Sequence, residues 1–324
     1  ATEVLSRLLG SRMLLLKIDE HEDPGRDLIR LQSFFESVSA QERAPGASPV
    51  ASAAVPPAVP PAPVSSFATP VTRLPEGREK EFTIYAPVME PLHARFLQAV
   101  LRRAGIRFEM LPVPDVETVR TGKRYTNGDI CLPASVVAGS VVEFLSRENP
   151  DRDRIAFLLP SGCGPCRFGL YRQSIFEVLT RLGCPQVPVL PFSMESGLLG
   201  VRELILGYQV TLMSDLLNNA VYHTRPYERT SGATDAALTR GSELVCRAIE
   251  EKGDLIHAFT RALEEVAAVP VERSGSRPRI LLVGEVFVRL NPAANYDIIR
   301  YLEGIGCEVV MSELSSYLRY VFTI

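Results

Sequence analysis

The chain has 324 residues, 46% of them apolar, which is enough to build the cores of two domains. Its formal net charge of −3 argues against a nucleic-acid-binding protein, because neutralising phosphates favours a basic surface. No apolar run reaches the roughly 18 residues that a membrane-spanning helix needs, and no secretory leader is recognisable. We therefore expect a cytoplasmic protein with no nucleic-acid or membrane partner. The six cysteines fit such a reducing compartment, where paired cysteines usually serve metal or redox sites.

The first 78 residues divide into two expected pieces. Residues 1–42 contain a strand pattern at 14–18 and a helical pattern at 27–37, and we expect them to be the tail of an upstream domain. Residues 43–78 are dominated by Ala, Pro, Val and Ser, a composition that predicts a semi-rigid linker. Because the chain starts with Ala and stops in a strand-like run at 321–324, we expect a fragment of a longer protein.

Strands and helices alternate over residues 79–197, which we interpret as a cysteine-bearing α/β domain. The predicted strands cover 82–88, 106–111, 155–159 and 187–192, and the predicted helices cover 92–104, 134–147 and 168–182. Alternation at this interval predicts βαβ units and a parallel sheet covered on both faces.

The rest of the chain predicts a helical section at 198–270 and a second α/β domain, incomplete, at 271–324. In that domain we expect a strand within 279–290, a helix at 296–304 and a strand at 307–311. The predicted fold class is thus α/β, with two parallel-sheet, flavodoxin-like halves joined by helices. Ligands tend to bind in the cleft between such halves.

The segment Cys163-Gly164-Pro165-Cys166 has the most distinctive chemistry in the sequence, because it joins a predicted strand to a predicted helix. A helix N-terminus carries partial positive charge, which favours thiolates there. An iron–sulfur cluster needs several thiolates on one face, and Cys131 is the best third candidate because a turn precedes it and a helix follows it. At this point Cys131 could equally be a small buried residue.

Other chemistries are open for the same segment. Cys-Gly-Pro-Cys is also the pattern of thioredoxin-like thiol–disulfide oxidoreductases, although the chain contains no Trp to precede it. A structural zinc site is disfavoured because the four histidines are scattered, and a dinucleotide fingerprint is disfavoured because Arg167 occupies its third glycine position. The remaining cysteines are interpreted as structural: Cys184, Cys246 and Cys307.

Residues 162–171, G-C-G-P-C-R-F-G-L-Y, resemble the G-P-C-R-F-G-x-Y signature of the 2-hydroxyacyl-CoA dehydratase superfamily, in particular of its long, activase-related proteins. Further stretches agree in the expected order along the chain. They are L-K-I-D-E-H at 16–21, C-L-P-A at 131–134, T-R-P-Y-E at 224–228, and G-E-V-F-V-R with two following asparagines at 284–295.

The resemblance implies a cofactor and a mechanism. Proteins of this superfamily carry an iron–sulfur cluster, here [4Fe–4S] or related, on three cysteines, and a separate ATP-hydrolysing activator donates an electron at very low potential. That electron makes a ketyl radical of the thioester carbonyl, so that a 2-hydroxyacyl-CoA can lose water. Carried onto this sequence, the metal ligands would be Cys131, Cys163 and Cys166, with Arg167 and Tyr171 next to the cluster.

We therefore expect an anaerobic iron–sulfur protein that accepts electrons from an activator and acts on an acyl-CoA-type substrate. The sequence is compatible with an activator module that is fused upstream. The expected enzyme class is a dehydratase-like lyase or the reductive activating component of one. The alternatives are a thioredoxin-like disulfide exchanger and a non-catalytic module that relays electrons or docks the activator. A dimer is compatible with this interpretation.

Overall fold

A computed structural model describes residues 13–18, 70–126, 130–159, 167–273 and 277–323. The described strands are β1 (Met13–Ile18), β2 (Thr83–Ala86), β3 (Phe108–Met110), β4 (Ile155–Leu159), β5 (Val189–Pro191), β6 (Arg279–Gly284) and β7 (Glu308–Met311). The described α-helices are α1 (Pro91–Arg103), α2 (Val116–Tyr125), α3 (Leu132–Arg147), α4 (Tyr171–Arg181), α5 (Val201–Thr224), α6 (Ala233–Glu250), α7 (Leu255–Ala267), α8 (Val286–Leu290), α9 (Ile298–Gly304) and α10 (Leu314–Thr323). This arrangement confirms the predicted α/β fold class.

The first sheet has the strand order β3-β2-β4-β5, and all neighbouring strands are parallel. All five residues of β4 are buried, as expected for a strand covered by helices on both faces. Phe157 lies in a core with α3 and α4, whereas Ala156 and Leu158 lie in a core with Leu101 of α1. The apolar run that predicted β4 therefore serves two cores at once.

The second sheet has the order β1-β6-β7 and is also parallel. We expected residues 14–18 to belong to an upstream domain, but β1 pairs with β6 along its whole length, from Met13 opposite Arg279 to Ile18 opposite Gly284. β7 pairs with only one edge of β6. β1 supplies partners for the backbone groups of the other edge. The division of the chain into five segments otherwise stays a prediction.

The helices α5, α6 and α7 pack with α1 around one apolar core, which accounts for the predicted helical section. The T-R-P-Y-E stretch that follows α5 ties these helices to the second sheet. Arg225 bonds to Glu303 of α9 through Nε and Nη2 at 2.7 and 2.9 Å, and the Tyr227 hydroxyl donates to Glu308 of β7 at 2.8 Å. Glu228 accepts hydrogen bonds from backbone N–H groups at the start of α6. This stretch therefore has a structural role.

Two local predictions differ from the structure. The run at 321–324 was predicted as strand-like, but residues up to Thr323 belong to α10. The Asp215 carboxylate accepts hydrogen bonds from the N–H groups of Leu314 and Ser315, at 3.2 and 2.7 Å, and this cap favours the helix. The last part of the predicted linker, 70–78, lies partly against the first sheet, since Val189 donates to the carbonyl of Val71 at 2.8 Å. The rest of that linker and the helical pattern at 27–37 lie outside the described residues.

Among the helices that the structure describes, none has the length and apolar character required to cross a membrane.

Candidate functional site

Cys131 and Tyr171 form the centre of the candidate site. Cys131 occupies the N-cap position of α3, where its side chain makes no capping hydrogen bond, and Pro133 follows in the first turn. Tyr171 is the first residue of α4. The Cys131 Sγ and the Tyr171 hydroxyl lie 3.1 Å apart in a hydrogen bond that either group can donate, and both residues are buried. A thiol is thus held next to a phenol at the N-terminal ends of two helices.

The site lies at the carboxyl edge of the first sheet. The order β3-β2-β4-β5 changes direction between β2 and β4, and ligands of open parallel sheets bind beside the point where the strand order reverses. β4 ends at Leu159, and the next described residue is Arg167, which opens a 3-10 turn ahead of α4. The intervening segment, 160–166, carries Cys163 and Cys166 and lies outside the described residues. The end of β4 and the start of the turn before α4 therefore lie at this edge, beside Tyr171.

A tight pair of helices holds Cys131 in place. α2 and α3 form an antiparallel hairpin, joined near its tip by a hydrogen bond of 2.8 Å between the hydroxyls of Thr126 and Ser135. Gly122 and Gly139 let the two backbones touch: a Cβ on Gly139 would lie 1.9 Å from the carbonyl oxygen of Thr118. A side chain on either glycine would therefore push α3, and Cys131 at its start, away from α2.

The segment after β6, which contains the short helix α8, reaches the same place. In the G-E-V-F-V-R stretch after β6, Phe287 and Val288 pack in the core that contains Cys131 and Tyr171. The Asn291 side-chain amide then donates to the carbonyls of Val88 and Met89, at 3.0 and 3.3 Å, in the loop after β2. The carboxyl edges of the two sheets therefore meet. The stretch at 284–295 has the structural role of joining them.

Three buried charged groups surround this junction, and each is committed to the backbone. Burial raises the pKa of the Glu90 carboxyl, which accepts from the N–H groups of Leu92 and His93 at 3.0 and 2.6 Å. Burial lowers the pKa of Arg289, which donates to the Ser312 carbonyl at 2.5 Å. With Asp215 of α5, whose carboxylate caps α10, these groups fix the segments around the junction of the two sheets rather than offering an open acid or base.

The predicted ligands and neighbours are placed as follows. Cys131 and Tyr171 lie together; Cys163 and Cys166 lie outside the described residues, and of Arg167 only the backbone is described. In the described part of the chain, no three side chains of His, Cys, Asp or Glu gather into a group that could hold a metal ion. A three-cysteine site at this edge thus depends on the segment 160–166.

The other described cysteines are placed as inert thiols. Cys184 donates to the Leu179 carbonyl at 3.4 Å and Cys246 faces the Arg95 carbonyl at 3.9 Å. Burial raises the pKa of Cys184 and Cys246, and raises that of Cys307 to about 11. Metal ligation requires the thiolate, which burial in apolar surroundings disfavours.

Sequence reasoning assigned no element to α2, although a signal for it exists. Asp115 accepts from the N–H of Thr118, and the Thr118 hydroxyl accepts in return from the N–H of Asp115, a reciprocal capping box that marks a helix start. The Asn291 contacts with the β2 loop had no comparable signal, because they join residues from distant parts of the chain.

Comparison with known proteins identifies one family. The family model described as the CoA enzyme activase uncharacterised domain matches residues 92–314, more than half of the chain. This match includes Cys131, Tyr171, the T-R-P-Y-E stretch and α8. Neither the curated proteins nor the solved structures contain a match to the chain.

Proposed function

Because the chain belongs to the family of the CoA enzyme activase uncharacterised domain, we propose that it is an iron–sulfur protein of a CoA-dependent radical enzyme system. It resembles a component of the 2-hydroxyacyl-CoA dehydratases. In this proposal it accepts single electrons from an ATP-hydrolysing activator, in an anaerobic cytoplasm, and delivers them to an acyl-CoA-type substrate or to a partner that binds one.

The observation that carries the proposal is the position of Cys131. Its thiol lies beside Tyr171, at the sheet edge where β4 ends. Tyr171 itself follows Cys166 by only a few residues in the sequence. Three cysteines of soft ligand chemistry would therefore be available at one edge of one sheet. The donor set Cys131, Cys163 and Cys166 fits a cluster with one iron left open for another ligand. Such a cluster would supply one-electron chemistry at low potential.

The remaining residues of the site would position and insulate this cofactor. The close contact between α2 and α3 fixes the Cys131 sulfur, and Phe287 and Val288 of α8 pack in the same core. The Tyr171 hydroxyl would donate its hydrogen bond to the sulfur once Cys131 is a thiolate, because a thiolate can only accept. Arg167 would add positive charge that stabilises an anionic cluster.

Iron binding tests the proposal. Protein purified without oxygen should contain several irons and sulfides per chain and absorb broadly in the visible, and Cys131→Ala should lose most of this iron because only two cysteines of the set remain. The matched control is Cys246→Ala, which removes a thiol in the helical section and should keep the wild-type iron content. A folded, iron-free wild-type chain whose cysteines cycle through a disulfide would instead support a thiol–disulfide exchanger.

Removing the Tyr171 hydroxyl should change the potential and not the iron content. A hydrogen bond to a charged group is worth roughly 1.5 kcal/mol, which corresponds to about 60 mV for one electron. Because the hydrogen bond stabilises the more negative, reduced cluster, Tyr171→Phe should lower the reduction potential by up to about that amount. The control is Tyr85→Phe, because Tyr85 packs on Phe144 against the same core. Equal potentials in both variants and the wild type would remove the role assigned to Tyr171.

A further inference from the structure

The long helix α5 carries apolar side chains on opposite sides. One side, with Val210, Met213 and Leu217, is buried in the core shared with α1, α6 and α7. The other side is exposed although it is apolar: Val201 is 59% exposed, Ile205 57%, Leu212 37% and Leu216 51%. We call these four residues the α5 stripe. It extends along about 22 Å of the helix.

The α5 stripe has the composition of an interface rather than of a solvated surface. No Asp, Glu, Lys, Arg or His occurs in the sequence between Glu203 and Asp215, and the Asp215 carboxylate is buried, where it caps α10. Single exposed apolar residues are common on protein surfaces, but an aligned series of large ones marks an interaction site. A partner that covers the stripe therefore has no charge to desolvate at its centre.

The spacing of the stripe is symmetric about its own midpoint. Val201 and Leu216 lie equally far from the point midway between Tyr208 and Gln209, and so do Ile205 and Leu212. Two antiparallel copies of α5 related by a two-fold axis at this point would bring Val201 against Leu216 of the partner subunit. The same axis would bring Ile205 against the partner's Leu212. A two-fold interface requires such self-complementarity, whereas an unrelated partner does not.

We propose that α5 is the centre of a homodimer interface in which the α5 stripes of two chains pack antiparallel. A stable dimer commonly buries about 800 Å² on each partner. The stripe supplies the apolar centre, and polar residues beside it, such as the exposed Arg202, form the rim. The interface lies on the helical section, and the proposal is independent of whether the chain binds iron.

The molar mass in solution tests this proposal. The wild-type chain should be a dimer at micromolar concentration by light scattering, and Ile205→Asp should be a monomer, because the two-fold axis places the new charge twice in an apolar contact. The matched control is Ile256→Asp, at an exposed apolar position of α7 that is 67% exposed and should leave the dimer intact. Circular dichroism would confirm that both variants are folded.

A cross-link near the two-fold axis gives a second, independent readout. Gln209→Cys should form a disulfide-linked dimer on mild oxidation, and Arg202→Cys, an exposed position on the side of the stripe, should not. A monomeric wild-type chain overturns the proposal, including one that binds lipid vesicles or another protein through α5. A dimer that survives Ile205→Asp, or that fails to cross-link through Gln209→Cys, also overturns it.

Discussion

Replacing Gly139 with alanine is expected to destabilise the protein by about 3 kcal/mol or more and to abolish iron binding. The added Cβ would lie 1.9 Å from the carbonyl oxygen of Thr118, and no side chain can rotate to relieve a contact with helix backbone. The α2–α3 hairpin would have to separate. Because Cys131 starts α3, its sulfur would lose its fixed distance from Tyr171.

Denaturant unfolding measures the first effect, and iron analysis of the same samples measures the second. The matched control is Gly207→Ala, in the interior of α5, where no heavy atom lies within 4 Å of the added Cβ. There the substitution should stabilise the chain by about 0.5–1 kcal/mol, since alanine loses less backbone entropy than glycine in a helix. If Gly139→Ala unfolds at the wild-type denaturant concentration, the close approach of α2 and α3 is wrong.

Replacing Arg225 with methionine is expected to cost about 3–5 kcal/mol of unfolding free energy. The Arg225 and Glu303 side chains are only 9% and 6% exposed, and the guanidinium contacts both carboxylate oxygens of Glu303 as well as Asp235. Methionine would fill most of the volume but leave the Glu303 charge buried without its main partner. The helical section would then hold less firmly to the second sheet.

Two comparisons isolate this effect. Arg240→Met breaks an ion pair with Glu265 on the surface and should change the unfolding free energy by no more than about 1 kcal/mol. Adding Glu303→Gln to Arg225→Met should recover part of the lost stability, because it removes the uncompensated charge. Equal losses for the buried and the surface variant would contradict the structural role given to the T-R-P-Y-E stretch.

Sequence periodicity was sufficient for elements that are long or strongly apolar. The run at 155–159 was predicted with the bounds that β4 has, because both of its faces are buried and Arg154 and Pro160 flank it. α2 was not predicted because it has few apolar residues. Its stability comes from the glycine contact with α3 and from the Asp115 cap. The pairing of β1 with β6 was not predictable from local pattern, since the two strands come from opposite ends of the chain.

The candidate site shows the same division. The turn before Cys131 and the helix after it singled out that cysteine, whereas the family resemblance singled out Tyr171 and the G-E-V-F-V-R stretch. Only the three-dimensional arrangement relates them, through the 3.1 Å contact between Cys131 and Tyr171 and through the Asn291 hydrogen bonds that join the two sheets. Neither contact has a sequence signal, because side-chain contacts across a fold depend on how whole elements pack.

Electron paramagnetic resonance of the anaerobic protein, reduced with a low-potential chemical reductant, would show whether the chain holds an iron–sulfur cluster that accepts electrons. An iron–sulfur cluster that accepts single electrons becomes paramagnetic when reduced, so we expect a signal of about one spin per chain that disappears in Cys131→Ala. A wild-type chain that is folded, carries no iron and stays silent after reduction would contradict the proposal.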